Sequence, residues 1–446
     1  MTHRLIKGAD HLITMDGARR ELLGADLRMR GGVIAEIGAG LEPQGAEVIS
    51  AAGCLVTPGL INTHHHLFQT LTRAVPAGQD ALLFGWLQSL YPIWARMGPD
   101  HIRVSAMLGL AELALSGCSL SSDHLYLFPN GSRLDDSIEG AAEVGIRLHA
   151  TRGAMSIGES KGGLPPDALV EEEAAILEDS IRLIDRFHDA GAGAMVQVGL
   201  APCSPFSVSR ELMRDAALLA RDKGVRLHTH LAENEEDVRY SLAQFGCRPG
   251  QYAEDLGWTG DDVWHAHCVM LDEGEIDLFA RTGTGVAHCP CSNARLGSGI
   301  APVRAMRDAG VRVGLGVDGS ASNDSSNLVA EARQAMLMQR VSKGADAMSA
   351  REALEIATLG GAAVLGRLHD LGSLEVGKRA DLAIWDMSGI EAAGSWDRAA
   401  LLLAGPVGVR DLIVEGRDVV RGGRLSRLDA GVLAAQANDL ARNLAF

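Results

Sequence analysis

Eight short apolar segments, separated by longer amphipathic or polar stretches, constrain this chain more than any other feature. They are CLVTPGLIN (54–62), GCSLSSD (117–123), IRLHAT (146–151), MVQVGLAP (195–202), VRLHTHLAE (225–233), VWHAHC (263–268), TGVAHCP (284–290) and VRVGLGVDG (311–319). Between them run stretches such as IRVSAMLGLAELALSG, LVEEEAAILEDSIRLIDRFHDAG and ELMRDAALLARDKG. Their apolar residues recur at three- and four-residue spacing, and each closes on Gly, as helices do. Short apolar strands alternating with helices call for a parallel sheet covered on its outer faces, and eight of them fit a (β/α)8 TIM barrel. The competing fold is an open doubly wound sheet. That fold wants a Gly-rich phosphate loop after its first strand, and Gly59-Leu60-Ile61-Asn62-Thr63-His64 is not one.

The two ends read differently. RLIKGADHLITMDG, ADLRMRGGVIAEIG and AEVISAAGCLVTPG near the start are short runs punctuated by Gly, and LGSLEVGKRADLAIWD and GVRDLIVEGRDVVRGG repeat the texture near the end. We expect residues 1–57 and 370–446 to form one composite β-sandwich domain, antiparallel in the main, beside a catalytic barrel spanning 58–369.

Composition narrows the partners. The 446 residues carry 41 Lys+Arg against 57 Asp+Glu, a formal charge of −16, which leaves no basic field for nucleic acid or an anionic membrane. The chain opens without an apolar signal-like run, and no stretch approaches about 18 uncharged apolar residues. The seven cysteines are scattered and odd in number, which suits a reducing compartment, and the expected location is the cytoplasm. Cys289 and Cys291 lack the two-residue spacer common in zinc sites.

Polar groups collect at the C-terminal ends of the inferred strands, where barrel enzymes place their active sites. His64 and His66 follow the first strand, His230 and Glu233 the fifth, His267 the sixth and Asp318 the eighth. Alternation puts His64 and His66 on one face with His65 on the other, and pairs His228 with His230. Three histidines and one aspartate are a sufficient ligand set for Zn²⁺, with water completing the coordination.

The stretches PGLINTHHH (58–66), HLAE (230–233), AHC (266–268), GVDG (316–319) and GKRADL (377–382) resemble the amidohydrolase superfamily, in its mononuclear triazine hydrolase and nucleobase deaminase branch. The resemblance spans nearly the whole chain. It implies one divalent ion, zinc or alternatively Fe²⁺, held by His64, His66, His230 and Asp318. Glu233 and His267 are the implied acid–base partners, with Asp318 also moving protons. A divalent ion lowers the pKa of the water it binds toward about 7. Binuclear members carry a bridging lysine after the fourth strand; MVQVGLAPCSP contains none, which favours one metal. The cytidine-deaminase type of zinc enzyme needs a Pro-Cys-x-x-Cys that neither Pro202-Cys203 nor Pro290-Cys291 begins.

THHHLFQTLTRAVPAGQDALLFGWL, TRGAMSIGESKGGLPPD, APCSPFS and CPCSNARLGSGIAPVR are further similar to 8-oxoguanine deaminases, which yield urate and ammonia. This similarity implies a small heterocyclic substrate. Gln69, Trp86, Cys203 and Asn293 are its candidate contacts, though Gln69 also reads as a surface helix residue and Trp86 as core. Adenosine-type relatives carry a Glu where this chain has Ala95-Arg96 and a His where it has Cys203, which argues against a ribose-bearing substrate. Guanine, isoxanthopterin and chlorotriazines share the scaffold and stay open. A non-catalytic binding or assembly protein on the same barrel would have lost ligands, and here every expected group is present. Family habit implies a homo-oligomer, dimer or larger.

Overall fold

The computed structural model describes residues 3–405 and 407–445. At its centre eight parallel strands close into a barrel in chain order. They are β1 Leu60–Asn62, β2 Cys118–Leu125, β3 Arg147–Ala154, β4 Val196–Pro202, β5 Leu227–Leu231, β6 Val263–His267, β7 Gly285–His288 and β8 Arg312–Leu315. Closure comes where Leu315 of β8 pairs with Asn62 of β1. Helices Pro99–Leu115, Glu173–Phe187 and Arg210–Lys223 cover the outside and match the three amphipathic stretches. Gly224 ends the last of these in the left-handed region, at φ 67°. Helix Glu173–Phe187 instead stops at an extended His188, short of Gly191.

Strands from both ends of the chain build two outer sheets. One has four strands, ordered Val33–Gly38, Ala25–Arg30, His3–Ala9, Glu47–Ser50. The other has seven, and at its middle Leu382–Asp386 lies antiparallel between Cys54–Pro58 and Val409–Val414. Ile6, Leu27 and Ile49 from the first sheet share a buried core with Val56, Leu382 and Ile413 from the second, which makes the pair a sandwich. The pairing is not wholly antiparallel: His3–Ala9 runs parallel to Glu47–Ser50, and His11–Ile13 parallel to Cys54–Pro58.

The expected first strand, 54–62, divides in two. Cys54–Pro58 belongs to the outer sheet and only Leu60–Asn62 to the barrel. Gly59 is the hinge between them. Its N–H donates to Asp381 O at 3.0 Å, and a Cβ there would stand 2.4 Å from Ser119 Oγ, so no larger residue fits the crossing unmoved. Below the barrel, fully buried Arg147 of β3 pairs with Asp381 at 2.7 Å and with Glu415, which ties barrel to sheet. The last helix, Ala430–Ala445, packs on Pro99–Leu115 at the barrel's flank. Among the described residues no helix is long and apolar enough to cross a membrane.

Candidate active site

Six side chains from four strand ends converge at the C-terminal mouth of the barrel: His64 and His66 after β1, His230 and Glu233 at β5, His267 at β6, Asp318 beyond β8. All are buried except His230, which is partly exposed. The backbone bends sharply to present them. Ala232, His267, Cys268 and Asp318 all take positive φ, between 50° and 69°, a region non-glycine residues rarely enter and that concentrates at functional sites.

Hydrogen bonds fix which imidazole nitrogens face inward. His66 Nδ1 lies 2.8 Å from His124 O and His230 Nδ1 lies 2.5 Å from Cys203 O; a carbonyl only accepts, so each Nδ1 carries the proton. His228 Nδ1 likewise donates to Trp264 O at 2.9 Å. Its Nε2 therefore accepts from His64 Nδ1 at 2.7 Å. All three Nε2 atoms are thus left with bare lone pairs aimed at one point. His66 Nε2 and His230 Nε2 are 3.0 Å apart, and Asp318 Oδ1 lies 3.3 Å from His64 Nε2 and 3.2 Å from His66 Nε2. His64 Nε2 is buried without a hydrogen-bond partner. Burial holds His64 well below the usual imidazole range and His230 at about 3, so both are neutral. Converging lone pairs beside a carboxylate repel one another unless a cation sits among them. The donor set fits a divalent metal.

Above this cluster stand the proton-moving groups. Glu233 Oε2 is 3.7 Å from His267 Nε2, which is 3.9 Å from Asp318 Oδ2. Burial raises the Glu233 pKa, and His267 only partly offsets it. Burial opposes charge on His267 as well, yet the Glu233 and Asp318 carboxylates outweigh it and raise that pKa. Asp318 Oδ2 accepts from Ser292 Oγ at 2.6 Å and Ser322 Oγ at 3.0 Å, so the carboxylate cannot swing freely.

A cavity of about 550 Å³ opens over these groups, walled by Leu83, Trp86, Leu87, Tyr91, Tyr126, Phe206 and Leu296. No Lys or Arg among the described residues lines it. Its aromatic and aliphatic lining suits an uncharged ring. Gln69, Trp86 and Cys203 all border it. Gln69 is buried, not a surface residue; its Nε2 faces Tyr126 OH at 3.4 Å while Oε1 has no partner. Gly319 admits it, since a Cβ there would lie 1.8 Å from that oxygen. Trp86 Nε1 donates to Ala321 O at 3.3 Å, which spends its polar edge on the protein. Asn293 does not border the cavity. Its Oδ1 accepts from His267 Nδ1 at 2.9 Å and so orients that ring.

Sequence reasoning did not single out Tyr126, Ser292, Ser322 or Ser298, whose Oγ lies 3.4 Å from Glu233 Oε1. Serines in loops and one-turn helices carry no periodic signal. His124 stacks on His230 with centroids 4.9 Å apart. His65 turns away, as alternation requires, to meet Ser326 Oγ at 3.0 Å.

A family model for the amidohydrolase family matches residues 55–419. The chain is 46% identical over 413 residues to 8-oxoguanine deaminase of Pseudomonas aeruginosa, covering 91% of each. It is 38% identical to an isoxanthopterin deaminase of an unknown prokaryotic organism, over 94% of this chain and 92% of that one. Among solved structures, atrazine chlorohydrolase of Arthrobacter aurescens TC1 complexed with zinc superposes with a TM-score of 0.93 at 35% identity, covering 98% of this chain and 99% of that one. Family match, barrel and strand-end cluster agree, and the chain belongs to the amidohydrolase family.

Proposed function

We propose that the protein is a metal-dependent aminohydrolase that converts 8-oxoguanine and water to urate and ammonia. The observation that carries this reading is the buried Glu233 carboxyl, held toward its acid form beside His267 and Asp318 at the floor of a largely apolar cavity. In this reading His64, His66, His230 and Asp318 hold one Zn²⁺, in keeping with the zinc complex of the triazine relative. When bound, the ion supplies Lewis-acid activation of water.

The rest is work for the chain's own groups. Glu233 donates its proton to the ring nitrogen next to the attacked carbon, so that carbon accepts a nucleophile without building an anion on the ring. Asp318 takes a proton from the attacking water and returns it to the departing amine. His267, aligned by Asn293, orients the water and stabilises charge that develops on the adduct. Gln69 Oε1 offers an acceptor to the purine's polar edge, while Trp86, Tyr126 and Phe206 enclose its faces. The same reading takes the protein as a cytoplasmic homo-oligomer. Seven free cysteines are consistent with a reducing compartment.

A second reading shares the site: hydrolysis of a pterin or an aminotriazine, supported by the likeness to isoxanthopterin deaminase and to atrazine chlorohydrolase. Following urate, ammonia and chloride from 8-oxoguanine, guanine, isoxanthopterin and a chlorotriazine separates the readings. Urate formed fastest is the expected result. Fast chloride release with no ammonia from any purine would overturn the deaminase reading.

A further inference from the structure

A second cavity, about 260 Å³, lies behind the end of β5, and Phe206 lines both it and the active-site cavity. Its wall is aromatic: Phe206 stands edge-to-face to Tyr240 with centroids 6.0 Å apart, and Tyr240 to Phe245 at 5.7 Å. Into this apolar space projects Asp237, only 8 % exposed. Its Oδ2 accepts the Glu233 N–H at 2.9 Å. Its Oδ1 is buried without a hydrogen-bond partner, and no Lys or Arg among the described residues reaches either oxygen. A buried carboxyl with one open oxygen lacks a partner that charge or hydrogen bonding must supply. Burial and the neighbouring Glu233 raise its pKa to about 7, so near neutrality an arriving cation finds a group ready to ionise.

An open carboxylate oxygen among ring faces is the chemistry that recognises a small ammonium ion. The oxygen takes an N–H, and the aromatic quadrupoles take the charge. Arg210 already lies over Phe245 at 5.8 Å, so that charge rests on Phe206 and Tyr240. The space between these side chains is on the scale of a single water, which matches an ion of ammonium size and excludes a longer cation. On the deaminase reading of the main site, we propose that this cavity binds the amine released by C–N hydrolysis, as its ammonium ion, with Asp237 as the anchor.

Calorimetric titration of the metal-loaded enzyme with ammonium chloride, against sodium chloride at equal ionic strength and without any heterocycle, tests the site. Wild type should bind one equivalent saturably, and Asp237→Asn and Tyr240→Leu should each weaken binding at least tenfold. Wild-type heats no different from sodium, or equal binding by Asp237→Asn, overturn the site even if Tyr240→Leu fails to fold. A parallel assay of ammonia from the heterocycle panel separates the two readings. Ammonia release without ammonium binding overturns the cavity proposal alone. Binding without ammonia from any heterocycle overturns the deaminase reading and the leaving-group role with it.

Discussion

His64 owes its inward lone pair to a residue that never faces the cavity. His228 accepts its Nδ1–H at 2.7 Å and is itself pinned by Trp264 O and by the Trp264 ring stacked 4.4 Å away. Such outer partners typically govern affinity 10–100-fold, so His228→Ala should lower metal affinity by about that factor in chelator competition. Glu233→Gln should cut kcat by about a thousandfold while metal stoichiometry holds, because a proton donor is lost and no ligand is. Metal loss in that variant would instead make Glu233 a ligand. Glu331 gives a pH signature. It is buried, accepts from Cys291 N at 3.3 Å and from Asn323 Nδ2, and burial lifts its pKa from 4.5 to about 8. The folded state therefore binds a proton that the unfolded state has already released, so stability is full below 4.5 and falls as pH rises toward about 8. The slope for one proton is about 1.4 kcal/mol per pH unit, and Glu331→Gln should remove it. Urea denaturation across that window measures the difference in slope; parallel lines for the two proteins would refute it.

At the scale of single elements, the strands were readable because a parallel strand buried on both faces is a short, nearly continuous apolar run. The convergence of His64 and His66 was readable because alternation separates His65 from both. Alternation also placed His228 with His230 on one face, and so it is, but period two does not say which residue lies deeper in the barrel. The division at Gly59 was hidden for a related reason: CLVTPGLIN is one apolar run, and the clash that divides it comes from Ser119, distant in sequence. Gly59→Ala should cost about 1–3 kcal/mol by overpacking, and adding Ser119→Gly should recover most of it. Comparing urea midpoints of the single and double variants checks this. The bond from His267 to Asn293 was not legible, because one residue of CPCSN looks as available as the next. Only the turn into helix Pro290–Arg295 decides that Ser292 reaches Asp318 and Asn293 reaches His267.

For the molecule as a whole, barrel and sandwich are joined through charge as well as apolar packing. Arg147 is fully buried between Asp381 and Glu415, and Asp381 sits just before the strand that meets Cys54–Pro58. Removing one partner of a buried pair leaves the other uncompensated, so Arg147→Ala should destabilise by about 3–5 kcal/mol. Calorimetry should then show the two units melting apart; a single unchanged transition would mean the junction carries little of the coupling. The outer sheet was visible in sequence as matching texture at both ends, but not its strand order, because texture carries no register. That order has a consequence for how the protein is made. Trp385 Nε1 bonds Thr57 Oγ1 across 328 positions, so the strand that leads into the barrel leaves the ribosome long before its neighbour exists. Throughout synthesis of the barrel that strand edge stays open to wrong partners, and it can be covered only once Leu382–Asp386 has emerged.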